Sequence, residues 1–336
     1  MHSFTETLLA WYEAYGRDLP WRHTRDPYAI WLSEIILQQT RIAQGQAYWE
    51  RFMEAYPDVR SLAAASEDEV LRLWQGLGYY SRARNLHAAA RQIAELGHFP
   101  DTLEGIRALK GVGDYTAAAI GSIAFGLPAA VVDGNVYRVL SRHFGISTPV
   151  GSTAAKKEFT ERAQALLPPD RAADFNQGMM DFGAIQCTPL SPACLTCPLQ
   201  DSCRALADGR VDALPVKKAA AAVQHRYFTY LLVRCGGCVA LRRRGAGDIW
   251  QGLWEPCLFE RPAAEAPEAL PPWAQAARLQ RRDVRHQLTH RTLHADFYVL
   301  DTEERPPLPE AFRWVPEPEL GSYAKPRLVS LLLETP

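Results

Sequence analysis

The stretch from Leu109 to Leu140, LKGVGDYTAAAIGSIAFGLPAAVVDGNVYRVL, does most to limit what this chain can become. It opens on a two-glycine turn, Gly111-Val112-Gly113, and runs through small apolar residues. It closes on Asp133-Gly134-Asn135, just ahead of the helical pattern Val136-Tyr137-Arg138-Val139-Leu140. Glycines at 111 and 113 permit backbone conformations that a side chain would block. They also leave amide N–H groups unshielded where the next helix begins, from Thr116 onward. Such a start attracts anions, because unpaired N–H groups and the helix dipole both favour negative charge. The bland reading is a helix–turn–helix with a glycine bend. The carboxylate of Asp133, closing a long apolar run, reads as placed rather than merely solvated.

At 336 residues the chain is long enough for two domains, each with its own core. Its first residues, MHSFTETLLAWYEAYG, lack a basic segment leading into an apolar one, so no secretory signal is expected. The run from Ala117 to Val132 is interrupted by Gly121, Ser122, Gly126 and Pro128, too short and too broken to span a bilayer. The expectation is a cytoplasmic protein with no membrane partner. Net charge is −1, and neither part is basic: residues 1–224 hold 22 Lys/Arg against 24 Asp/Glu, and residues 225–336 hold 15 against 14. Charge alone therefore points away from nucleic acid. Any such contact must come from local patches and backbone amides.

Residues 1–108 read as helices. Phe4, Leu8, Trp11, Tyr12 and Tyr15 recur at helical spacing, and Leu19-Pro20-Trp21-Arg22 breaks the pattern. Pro27 suits the opening of a second helix, expected from Tyr28 to about Tyr48, with Leu32, Ile35 and Ile36 on its apolar face. Glu34, Gln38 and Arg41 fall on another face. A glutamate in a helix is ordinarily a solvated residue. Glu34 instead sits between Trp31 and Ile35-Ile36-Leu37, with Gln38, Gln39 and Thr40 following, groups able to bond base edges or phosphates. Further on, the Gly76-Leu77-Gly78 turn leads into Tyr79-Tyr80 and then Arg82 and Arg84. Aromatics interleaved with cations suit base stacking and phosphate binding, or simply a helix start with packed tyrosines.

Cys187, Cys194, Cys197 and Cys203 make a C-x6-C-x2-C-x5-C run. Four thiols so close in a chain without a secretory signal argue for a metal site rather than disulfides. They suit tetrahedral zinc or a [4Fe–4S] cluster. Zinc sites usually present two separated C-x-x-C knuckles, whereas here one segment wraps once, which favours the cluster. Cys235-Gly236-Gly237-Cys238 has no second pair and reads as a hairpin turn between strands. Residues 204–224, poor in bulky apolar side chains, read as a linker. Beyond it, 227–233 and 296–300 are strand-like, which predicts a mixed α/β second domain over 225–336.

In combination these pieces closely resemble the MutY-type adenine DNA glycosylases of the helix–hairpin–helix, endonuclease III-like superfamily. The resemblance covers nearly the whole chain. It rests on LPWR at 19–22, WLSEIILQQT at 31–40, GLGYYSRARNL at 76–86, LKGVGDYTAAAI at 109–120, VDGNVYRVLSR at 132–142 and the cysteine run. It implies a multi-domain chain: an all-α helix–hairpin–helix glycosylase domain over 1–203 with its hairpin near 105–120 and an Fe–S loop at 187–203, then an α/β Nudix-like (MutT-like) domain. The partner it implies is double-stranded DNA carrying adenine opposite 8-oxoguanine or guanine, bound by a nucleoid-associated monomer, and the cofactor is a [4Fe–4S] cluster on the four cysteines.

The resemblance also implies roles. The hairpin with Lys110, Gly111, Val112 and Gly113 would grip a phosphate. Gln38, Gln39 and Tyr79 or Tyr80 match positions that fill the gap left by a flipped adenine, with Thr40 and Arg82 nearby on the DNA side. Base removal needs one neutral and one ionised carboxyl. Glu34 is the expected general acid, raised by desolvation; Asp133, at a helix start, is the expected cation stabiliser or nucleophile, with Asn135 and Tyr115 orienting the site. Trp21, Arg22, Trp31 and Gln177 are expected to line the adenine pocket. Where endonuclease III-like lyases carry a lysine, this chain has Tyr115, whose phenol cannot form an imine with the sugar. A monofunctional glycosylase is therefore expected, against two rivals: a glycosylase/lyase for oxidised pyrimidines, and a non-catalytic DNA-structure binder. GDIWQGLWEP at 247–256 matches the MutT-like W-x-G-L-W element, but no Nudix hydrolase box follows it. Where the family uses Phe-Ser-His for the lesion, this chain offers Leu288-Thr289-His290.

Overall fold

The computed structural model describes residues 3–218, 222–264 and 270–334. They divide into two compact units, one of residues 3–64 and 85–218, the other of residues 65–84 and 222–334. Helices among the described residues are α1 (Phe4–Tyr15), α2 (Pro27–Leu37), α3 (Ile42–Ala55), α4 (Val59–Ala64), α5 (Glu67–Leu73), α6 (Ser81–Leu96), α7 (Leu103–Arg107), α8 (Asp114–Phe125), α9 (Gly134–Phe144), α10 (Thr153–Leu166), α11 (Ala172–Ile185), α12 (Arg204–Ala207) and α13 (Arg327–Leu333). None is long and apolar enough to cross a membrane.

In the first unit, α1 starts on a capping box in which Ser3 and Glu6 satisfy each other's backbone N–H. Its Leu8 and Trp11 pack with Val136 and Leu140 of α9, Phe159 of α10 and Phe175 and Phe182 of α11. Pro27 opens α2 behind the Asp26 cap, and this helix is buried from Tyr28 to Ile36, Glu34 included. The single helix expected from Tyr28 to Tyr48 is in fact two. The chain breaks at Gln38, passes through Gln39 in the left-handed region (φ 58°), and restarts at Ile42. Arg41 therefore does not continue the face of Glu34. The α7–turn–α8 hairpin forms where the glycines predict it. Gly111 has φ 78°, and a Cβ there would lie 2.6 Å from Asn85 Cβ. Both constraints exclude other residues.

Of residues 204–224, expected as linker, 219–221 lie outside the described residues and 204–218 belong to this unit. They begin with the short helix α12, and Arg142 of α9 donates to the carbonyls of Val211 and Leu214, each at 3.0 Å. The Val150 N–H donates to the Val216 carbonyl at 2.8 Å.

The second unit is built on a seven-stranded sheet: β1 (Gln224–Cys235), β2 (Cys238–Arg243), β3 (Trp254–Glu255), β4 (Cys257–Arg261), β5 (Arg278–Gln287), β6 (Arg291–Thr302) and β7 (Phe312–Pro316). The main path runs β3-β2-β1-β6-β5, with β4 on β1 and β7 on β2. Only β1 and β6 run parallel among these pairs, from Gln224↔Arg291 to Cys235↔Thr302. Both faces are covered, as the period of a strand allows. Phe228, Tyr230 and Leu232 face a core shared with Leu328 and Val329 of α13, while Leu231 and Val233 face a second core with Ala274 and Tyr298. Gly236 and Gly237, both at positive φ, make the β1–β2 turn with Cys235 paired to Cys238. The cysteines there are strand ends, as the sequence suggests.

Candidate active site and nucleic-acid surface

In the first unit a cavity of about 520 Å³ gathers Glu34, Asp133, Tyr115, Asn135, Trp21, Arg22, Gln177 and Thr40. Residues far apart in sequence meet because the buried α2 brings Glu34 to the start of α8 and to the cap of α9. Glu34 is 8% exposed. Burial pushes its carboxyl up from 4.5 to about 7. The hydrogen bond from Tyr115 Oη, 3.1 Å to Oε2, and the charge of Arg22 pull it down, while Asp133 pushes it further up.

Asp133 is the N-cap of α9. Its Oδ1 accepts from the Val136 N–H and its Oδ2 from Asn135 Nδ2, each at 2.8 Å. The helix start does favour the anion, as expected, but burial outweighs it, and the carboxyl sits above the usual aspartate range. Asn135 is held in turn by Arg138, whose Nη2 reaches Asn135 Oδ1 at 2.8 Å and the Gly183 carbonyl at 2.6 Å. Arg138 Nε donates to the Cys187 carbonyl at 2.7 Å. The catalytic candidates and the first cysteine thus share one arginine that sequence reading overlooked. So did Asp181, which pairs with Arg17 and Arg22; its only sequence signal is its place one turn beyond Gln177 on α11.

Trp31 is a correction. It is fully buried, its ring at 6.0 Å from that of Phe99, and it does not line the cavity. Because α2 is buried on all sides, the faces of Trp31 and Glu34 look into different neighbours, and the tryptophan is core. Gln38 is turned inward, with Nε2 donating to Thr116 Oγ1 at 3.2 Å. Gln39 carries a left-handed backbone, a strained state for a non-glycine that costs on the order of 1–3 kcal/mol.

At the hairpin, Gly113 takes the N-cap of α8 with no side-chain cap bond, and nothing lies within 4 Å of where its Cβ would be. The start of α8 is open, as the glycines suggest. Lys110 is exposed, but its backbone N–H is taken by Gln92 Oε1 at 2.7 Å, and the Val112 side chain is buried. Asp114, on the first turn, is matched by Lys156 at 2.6 Å and Arg107 at 3.3 Å.

The second unit has its own cavity, of about 980 Å³, whose lining includes Tyr79, Tyr80, Arg84, Trp250, Thr289 and His290. Tyr79 lies at φ 47° and its hydroxyl bonds Thr289 Oγ1. Leu288 packs against the sheet core, and its N–H closes the β5–β6 turn onto the Arg291 carbonyl at 2.8 Å. Arg82 does not stand free over this cavity: its guanidinium lies 5.2 Å from the Trp74 ring and 5.5 Å from the Tyr79 ring. Burial lowers its pKa to about 10.

Cys187, Cys194, Cys197 and Cys203 are all free thiols. Burial raises Cys194, and raises Cys197 to about 11, and in both the other cysteines of the run push the same way. The four sulfurs therefore share one field, and Arg142 Nη1 stands 3.4 Å from Cys187 Sγ. Thiols that oppose one another's ionisation are ionised once a bound cation offsets that repulsion. Among the described residues no three His, Cys, Asp or Glu side chains are drawn close enough to grip a single metal ion.

Residues 32–169 match the HhH-GPD superfamily base excision DNA repair protein family, and residues 229–335 match the NUDIX domain family. The adenine DNA glycosylase of Mus musculus is 46% identical over 227 residues, which cover 63% of this chain and 44% of that protein. That of Buchnera aphidicola subsp. Acyrthosiphon pisum is 34% identical over 254 residues, 75% of this chain and 73% of that one. A thermostable thymine-DNA glycosylase of known structure is 34% identical, with a TM-score of 0.56, over 61% of this chain and 95% of its own. The chain thus spans less than half the length of the mouse relative and most of the bacterial one.

Proposed function

Because this chain belongs to the adenine DNA glycosylase family, we propose that it removes adenine from DNA in base excision repair, by hydrolysis of the glycosidic bond. We extend the reading to adenine opposite 8-oxoguanine or guanine. The observation that carries it is the pairing of two carboxyls in one cavity, with Glu34 pushed to about 7 beside the amide-capped Asp133.

The target base leaves the stack and enters the cavity, since its glycosidic bond cannot be reached inside the duplex. Glu34, protonated near neutral pH, gives its proton to a ring nitrogen of adenine. The C1′–N bond breaks and its electron pair stays with the base. Asp133 stabilises the cationic sugar carbon, by charge or by a transient bond, until water adds there and leaves an abasic site. Tyr115 orients Glu34, and Asn135 orients Asp133. Arg22, Trp21 and Gln177 face the base. No amine stands at Tyr115, so strand cleavage is not part of the reaction.

The open start of α8 takes a DNA phosphate, with Lys110 beside it. Tyr79 or Tyr80, and Gln39, enter the duplex. Leu288-Thr289-His290 reads the base opposite, and Thr289→Ala with His290→Ala lowers the preference for 8-oxoguanine over guanine. Equal relative rates on the two duplexes for variant and wild type would refute that role. Cys187, Cys194, Cys197 and Cys203 would hold a [4Fe–4S] cluster through their thiolates. Bound there, it orders the loop and takes no part in the steps above.

The deciding experiment is single-turnover cleavage of a duplex with adenine opposite 8-oxoguanine, with and without alkali, for wild type and Glu34→Gln. Strand breaks only after alkali, lost in the variant, are expected. Breaks without alkali would make it a lyase, and tight binding with no breaks a binding protein.

A further inference from the structure

Behind the cavity wall lies a carboxylate that no step above uses. Asp181 of α11 is 0% exposed and does not line the cavity. Its acceptor capacity is spent on two arginines. Oδ1 accepts from Arg17 Nε at 2.8 Å, from Arg22 Nη2 at 2.9 Å, and closely from Arg17 Nη2. Oδ2 accepts from the Arg17 backbone N–H at 2.8 Å and from Arg22 Nη1 at 2.7 Å. Arg22 also donates to the Arg17 carbonyl at 2.9 Å. Both arginines line the cavity that contains Glu34. A buried carboxylate is costly to desolvate, and here the two arginines offset that cost and hold the Asp181 carboxyl below the usual aspartate range.

What the clamp prevents follows from charge. Arg22 is paired with Asp181 while its charge also reaches Glu34, and an arginine released from the first carboxyl is drawn to the second. Paired with Arg22, Glu34 would ionise and lose the proton it must give. We propose that Asp181 is a positioning residue: it holds the guanidinia of Arg17 and Arg22 away from Glu34, so that Arg22 faces the base instead of pairing with the acid. This rests on the reading of Glu34 as the acid. Other charged or titratable groups facing the trio are Tyr115 and Asp133 at Glu34, Arg41 on the same cavity wall, and Tyr12, whose ring lies 5.6 Å from the Arg22 guanidinium and which also feels Asp174. Asp181→Asn leaves all of these in place.

The test is the pH profile of single-turnover adenine release, for wild type, Asp181→Asn, Asp181→Glu and Glu34→Gln, at saturating DNA. Wild type should lose rate as pH rises through the pKa of Glu34. In Asp181→Asn that fall should begin about one pH unit lower, giving about a tenfold loss at alkaline pH and a near-normal rate at acid pH. Asp181→Glu should restore part of the shift. An unmoved alkaline fall, with rate lowered by one factor at every pH or not at all, overturns the proposal. If Asp181→Asn does not fold, Arg22→Gln reads the same field with the opposite sign, and its fall should move to higher pH; an unmoved fall there overturns it too. Failure of the underlying reading is distinct: wild type would show no alkaline fall, or Glu34→Gln would keep its rate, and the clamp's role would fall with it.

Discussion

Burial sets the proton state of Glu34, and its neighbours then adjust it. Taking the carboxyl out of water raises it from 4.5 to about 7, the Tyr115 hydroxyl and Arg22 pull it down, and Asp133 pushes it up. The native state therefore binds this proton more tightly than the unfolded chain does. Such a group adds no penalty below pH 4.5, and costs progressively more stability as pH rises to about 7, where the cost levels off. At about 1.4 kcal/mol for each pH unit, the full cost is on the order of 3 kcal/mol. Glu34→Gln keeps the shape and removes the charge, so it should be more stable than wild type at pH 8 by a few kcal/mol and near wild type at pH 4. Denaturant titrations at the two pH values check this. A variant less stable at pH 8 would mean that Glu34 is ionised and paired in the native protein.

Helix α11 shows how an element sets the site without presenting a reacting group. Gly183 lets it close onto the start of α9, since a Cβ there would lie 2.6 Å from Asn135 Cβ and 3.1 Å from Asn135 Cα and O. Gly183→Ala should push the two helices apart, at a cost of about 1–3 kcal/mol. It should also slow base release at least about tenfold by shifting Asn135 and Asp133, with DNA affinity little changed. Wild-type rate and melting temperature together would sink the idea. The legible parts of this architecture were those carried by local chemistry. A glycine pair fixes a hairpin, a carboxylate closing an apolar run becomes an N-cap, and cysteines at close spacing share a field. The rest depended on partners distant in sequence. Asp181 looks like any helical carboxylate until α1 and the segment after it bring Arg17 and Arg22 to it. Residues 204–218 look like linker because their docking uses backbone carbonyls, which a sequence does not display, as acceptors for Arg142. The break at Gln38-Gln39 interrupts an unbroken helical pattern because a left-handed glutamine is set by tertiary surroundings. Trp31 was misassigned for the related reason that α2 has no solvent face to distinguish from a pocket face.

Over the whole molecule, charge limits how the proposed DNA partner can be held. The net charge is −1, and many cations are spent internally, Arg17 and Arg22 on Asp181, Arg244 on Glu255 and Arg261 on Asp296. A phosphate held by backbone amides rather than by Lys or Arg side chains releases few counterions on binding. The salt dependence of binding should therefore be shallow, with a log–log slope no steeper than about −5. The hairpin allows the two contributions to be separated. Lys110→Ala removes one cation beside the proposed phosphate and should weaken binding while flattening the slope by about 0.9. Gly111→Ala keeps every charge but forces a side chain into a backbone at φ 78° and against Asn85, disturbing the amides. It should weaken binding at all salt concentrations with the slope unchanged. Fluorescence anisotropy on a mispaired duplex over a salt series reads both. A Lys110→Ala slope equal to wild type would place the phosphate elsewhere, and a flattened slope in Gly111→Ala would mean that the hairpin acts by positioning cations rather than by presenting its amides.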